Sequence, residues 1–160
     1  MKRLSTMFTI LTLAAASGAF GHCQIPCGIY DDEARLDMIG ENIATIERAI
    51  KQVDELSVAE TPNYNQIVRW INVKDEHADD ISDIVSWYFL QQRIKPVEAS
   101  EGPLHEDYMH KLRLLHHMLV YSMKAKQSMD LANVEKLKML LDDFRRAYLG
   151  EPEGNKGRGH

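Results

Sequence analysis

The sequence predicts an all-α protein: an up-down-up-down four-helix bundle over residues 31–149, behind an irregular N-terminal segment. Three observations predict it. Four stretches carry apolar residues at spacings of 3 and 4, the period of a helix that buries one stripe. Short breaks, most marked by proline or glycine, separate those stretches. No segment sustains period-2 alternation, and no Gly-rich phosphate loop follows a strand pattern. Amphipathic helices joined by short loops favour antiparallel neighbours. Helices of two chains completing each other's core are the alternative.

The first helix is carried by Leu36, Ile39, Ile43, Ile46, Ile50 and Val53. Asp31 or Asp32 can cap its start, where an acidic first turn suits the helix dipole. "SVAETPNYN" interrupts it, with Pro62 as the breaker. The second stripe runs Ile67, Trp70, Lys74, His77, Ile81, Ile84, Tyr88, and it ends near Pro96, Gly102 and Pro103. The third has Tyr108, Leu112, Leu115, Leu119 and Ser122 on one face, flanked by Leu114, Met118 and Tyr121. The fourth carries Val134, Leu137, Leu141, Phe144 and Tyr148. Residues 150–160 are polar and glycine-rich, the composition of a disordered tail. Met109, Met118, Met123, Met129 and Met139 are expected in core packing.

With 160 residues, 44% apolar and 27% charged, the chain suits one domain with a real core. A formal net charge of -5, with basic residues scattered, gives no case for a nucleic-acid partner. The first 21 residues differ from the rest. Lys2 and Arg3 precede the uncharged run "MFTILTLAAA", and the small residues of "SGAFG" follow. That is the order of a secretory signal peptide. Ten apolar residues rise only about 15 Å as a helix, too short for a stable membrane span. An uncleaved N-terminal anchor is the bland alternative. Ala19 and Gly21 satisfy the small-x-small cleavage pattern, with cuts after Ala16 or Gly18 as alternatives; removal of residues 1–21 by a signal peptidase or another maturation protease would expose His22. The mature chain would have 139 residues and a formal charge of -7, and it would be exported to a periplasm or the extracellular space.

That mature chain begins "HCQIPCGIY" and holds both cysteines within five positions. Pro26 and Gly28 argue for a compact loop over a helix. Three chemistries compete. A disulfide suits an exported chain, but it would close only a short loop and stabilise little. A thioredoxin-type pair needs two intervening residues and a βαβ context; here there are three and no strands. In a metal site, the free amine of His22, the amide of Cys23 and the thiolates of Cys23 and Cys27 can converge on one ion. Two nitrogens and two sulfurs from so short a peptide favour a planar set, which points to Ni(II) or Cu(II). Zinc would prefer a tetrahedral set.

The nine residues resemble the nickel hook of the nickel-dependent superoxide dismutases, His-Cys-x-x-Pro-Cys-Gly-x-Tyr. All fixed positions are present: His22, Cys23, Pro26, Cys27, Gly28 and Tyr30. An aromatic "WYF" late in the second helix and the helical remainder extend the likeness more loosely. The resemblance implies a homohexamer of four-helix bundles with one nickel ion per chain. It implies that the His22 amine, the Cys23 amide and both thiolates bind Ni(II), with the His22 imidazole joining as axial ligand in Ni(III). Cycling between those states would turn superoxide, the substrate, into dioxygen and hydrogen peroxide. Tyr30 would stand over the open face, and the bond between Ile25 and Pro26 would be cis.

Two further residues enter through the resemblance. Asp37 lies where family members often carry a glutamate that steadies the axial imidazole. His77 lies where some carry an arginine; on an apolar stripe, it also suits a core histidine bonded to a neighbour. His105, His110, His116 and His117 gather on the third helix without the Glu-x-x-His pairs of a di-iron bundle, so a solvated or subunit-contact face explains them. Against the redox enzyme stands a secreted helical protein that binds copper or nickel without catalysis, or merely carries a terminal disulfide.

Overall fold

The computed structural model describes residues 31–150. Residues 1–30 and 151–160 lie outside it, and with them the expected leader, the "HCQIPCGIY" segment and the expected tail. The described chain is four long helices: α1 (Asp32–Ser57), α2 (Tyr64–Asp83), α3 (Pro103–Gln127) and α4 (Leu131–Leu149). No strand occurs among the described residues. α2 continues without a break into a π-helix, Ile84–Arg93, and a short 3₁₀ turn, Ala99–Glu101, lies in the loop before α3. Each helix packs on its sequence neighbours, and α4 closes the ring by packing on α1. Short connections make those neighbours antiparallel.

The helix ends follow local chemistry. Asp31, the capping candidate that the structure uses, accepts a hydrogen bond from the Ala34 amide at 2.9 Å. Asn63 caps α2 and Asp130 caps α4 in the same way. Pro103 stands in the first turn of α3, where its missing N–H costs nothing. Gly150 ends α4 with φ of +86°, a left-handed conformation that other residues adopt only under strain, and its N–H donates to the Arg146 carbonyl.

The stripe on α1 is buried at every predicted position, from Leu36 to Val53. α4 buries Val134, Leu137, Leu140, Leu141 and Phe144 in the same core. On α3 the buried face is Leu114, Leu115, Met118, Ser122 and Ala125, while Tyr108, Leu112 and Leu119 are only half-buried. The sequence is apolar over a wide arc there, so packing rather than periodicity selects the inner line. Of the methionines, Met118 is fully buried and Met129 packs against the core, but Met109, Met123 and Met139 are about half exposed. The unbranched thioether tolerates either setting.

Lys74, a charge on an apolar stripe, is 3% exposed. Its ammonium donates to the carbonyls of Ala125 and Lys126 at the end of α3 and to Asp75. The orphan carbonyls of a helix C-terminus and its negative dipole end give a buried cation its partners.

Candidate functional site

An up-down-up-down chain brings the start of its first helix together with the ends of its second and fourth. At that end, three side chains converge on Asp32. Arg93 Nη2 donates to Asp32 Oδ2 at 2.6 Å, and Tyr148 Oη donates to the same oxygen at 2.8 Å. The Tyr88 hydroxyl donates to Oδ1. Arg93 Nε reaches Tyr148 Oη at 3.3 Å, and the Arg35 guanidinium lies over the Tyr88 ring. Beneath them, Phe89 and Phe144 meet edge to face at 5.1 Å, and Tyr148 stacks on Phe144 at 5.4 Å. Such offset and edge-on contacts suit the ring quadrupoles.

The π-helix makes this convergence possible. Five residues around an α-helix leave two side chains roughly 140° apart. In the i→i+5 register, five residues complete about one turn, so Tyr88 and Arg93 share a face. The bond from the Ile94 amide to the Phe89 carbonyl, at 2.9 Å, is in that register. The 3-and-4 stripe foresees Ile84 and Tyr88 on one helix, but not this change of winding after Asp83.

Burial opposes ionisation of Asp32, but the hydrogen bonds from Arg93, Tyr88 and Tyr148 and the Arg93 charge outweigh it and hold the carboxyl below its usual range. Burial and the bond to Asp32 push the Tyr88 hydroxyl well up; the same two causes raise Tyr148. The bond to Asp32 raises Arg93 further. The sign for stability follows. A carboxyl depressed on folding stabilises the protein fully above its unfolded pKa of about 3.9, and that contribution fades as pH falls through the folded value. Asp32→Asn is therefore expected to melt below wild type at pH 7, with the gap closing as the pH drops below about 4. Thermal melts of the metal-free protein across that range check it.

The predicted site residues are distributed as follows. Asp37 is exposed on α1, and its Oδ1 accepts from Arg145 Nη2 at 2.6 Å; its second oxygen bonds none of the described residues. His77, half-buried on α2, donates from Nδ1 to Oδ1 of the buried Asn42 at 2.6 Å. Asp37 and Asn42 are five residues apart, so they leave α1 on different sides. Asp37 faces α4 and His77 meets α1 on the α2 side; the structure does not bring the two together. His22, Cys23, Pro26, Cys27, Gly28 and Tyr30 lie outside the described residues. Asp32 was foreseen only as a possible cap, and the roles of Arg93 and Tyr148 at this site were not foreseen at all. The one local signal was an aspartate pair where a cap needs a single residue.

Among the described residues, no group of three or more His, Cys, Asp or Glu side chains is placed to hold a metal ion. No helix among them is long and apolar enough to cross a membrane. A family model for nickel-containing superoxide dismutase matches residues 14–151. No curated protein and no solved structure matches the chain. The matched span takes in both the cysteine-bearing segment and all four helices, so one model accounts for the motif and the bundle together. The chain belongs to the nickel-containing superoxide dismutases, and it is an oxidoreductase that acts on superoxide with a nickel cofactor.

Proposed function

We propose that the nickel is held at the mature N-terminus by the backbone amine of His22, the backbone amide of Cys23 and the thiolates of Cys23 and Cys27. The His22 imidazole would add a further nitrogen donor when the ion is oxidised. The donor set fits the metal: thiolates and a deprotonated amide are anionic donors that stabilise the higher oxidation state, and imidazole suits nickel. When bound, nickel supplies the one-electron chemistry by which two superoxide ions and two protons become dioxygen and hydrogen peroxide.

The chain's own residues shape that centre. Pro26 and Gly28 set the tight path that lets both thiolates face one ion. Tyr30 would position or gate the small anion beside the bound ion. The second oxygen of Asp37 is the acceptor proposed to steady the His22 ring, as carboxylates do for metal-bound imidazoles. His77 stands roughly where some family members carry an arginine, and its ring is bonded to Asn42. The reading includes export, cleavage after Gly21, a periplasmic or extracellular location and assembly as a homohexamer.

The observation that carries it is the complete hook pattern, from His22 to Tyr30, directly after a small-x-small cleavage sequence. N-terminal sequencing and metal analysis of the native protein test it. The expected result is a chain that starts at His22 and carries one nickel. A start at any other residue removes the amine ligand, and oxidised thiols without metal in freshly isolated protein would sink the assignment.

A further inference from the structure

We propose that Asp32 and its partners form a clasp that fixes the point at which the nickel hook is tethered to the bundle, so that Asp32, Arg93 and Tyr148 are positioning residues for the metal centre. The inference rests on the hook reading above.

Asp32 stands two residues after Tyr30 and five after Cys27. Whatever orders the first turn of α1 therefore orders the anchor of the segment that precedes it. Helix ends fray first, and the opening of a terminal turn is ordinarily nearly free. Here the cap is already supplied by Asp31. Asp32 adds three donors that lie 56, 61 and 116 residues away in sequence. A helix start needs no such set for its own stability; its effect is to bind the first turn of α1 to the ends of two other helices. The π-register points the same way. It is a winding that proteins use sparingly and often at functional sites, and here it aligns Tyr88 and Arg93 on one carboxylate.

The consequence concerns metal retention. Donors on a loosely anchored segment must be ordered each time they bind, and preorganisation removes part of that cost. With the clasp opened, the hook keeps all its ligands but holds the ion for a shorter time.

The test is nickel release from the mature, nickel-loaded protein into excess EDTA, followed by metal analysis of the protein fraction over time. Asp32→Asn and Tyr148→Phe open the clasp; Val134→Ala is the control. Val134 is fully buried on α4, about 21 Å along the helix from Tyr148, so its truncation lowers stability without touching the clasp. Release is expected to be about tenfold faster in Asp32→Asn, the scale of a lost outer contact in a metal site. A smaller acceleration is expected in Tyr148→Phe, and wild-type release in the control despite its lower melting temperature. Should Asp32→Asn not fold, Tyr148→Phe carries the test, since it loses one hydroxyl and keeps its ring. Wild-type release rates in the clasp variants, or equal acceleration in Val134→Ala, overturn the clasp. A wild-type chain that binds no nickel overturns the hook reading and the clasp together.

Discussion

Serine in place of Cys27 is expected to leave the protein without stoichiometric nickel and to lower dismutase activity by more than about 100-fold, beyond the loss typical of outer contacts. A hydroxyl is a hard, neutral donor, and nothing else in the mature chain replaces the thiolate: both cysteines lie in the first six residues after the proposed cut. The same chemistry predicts a selective effect. None of the helices contains a cysteine. The metal-free variant should therefore show wild-type helix content and a wild-type melt, while nickel per chain falls to background. Circular dichroism, metal analysis and a superoxide consumption assay on the same preparation separate a lost ligand from a lost fold. Retained nickel and activity in Cys27→Ser would remove the thiolate pair from the reading.

Phe144→Ala is expected to show the opposite pattern, a large loss of stability with all proposed ligands in place. Phe144 is fully buried, stacked on Tyr148 and edge-on to Phe89. Truncating such a ring costs about 3–5 kcal/mol, because transfer energy is lost and a cavity is left. For a domain of this size that corresponds to a fall of roughly 10 °C or more in melting temperature. The same ring supports Tyr148, one of the donors to Asp32. Phe144→Ala combined with Tyr148→Phe should therefore cost less than the sum of the two, as expected for side chains in contact. Melts of the metal-free single and double variants measure the coupling.

Much of the bundle was legible from its periodicity. The α1 stripe is buried at all the positions that the 3-and-4 spacing selects, because a long helix on a core leaves little choice of inward face. α3 was less legible. It is apolar around a wide arc, and the line that faces inward is set by what α2 and α4 present to it. The exposed methionines make the same point, since hydropathy does not determine burial for a side chain that packs acceptably in either place. Lys74 is the reverse case: its burial depends on carbonyls at Ala125 and Lys126, which only the packed bundle delivers.

The candidate site divides along a similar line. The hook is a contiguous motif, so its resemblance to the family's pattern can be read from neighbouring residues, and the cleavage pattern says where the amine would arise. Sequence by itself thus determined the helical class, the inner stripe of α1 and the candidate nickel ligands. Only the tertiary structure decided that Asp32 is more than a spare cap, by bringing Tyr88, Arg93 and Tyr148 onto it from two other elements. Nor does residue spacing reveal the π-register that places Tyr88 and Arg93 on one face. The physical reason is range. A metal hook is local covalent geometry, written in adjacent residues, whereas a clasp depends on how far each helix runs and how it winds before its end meets the others.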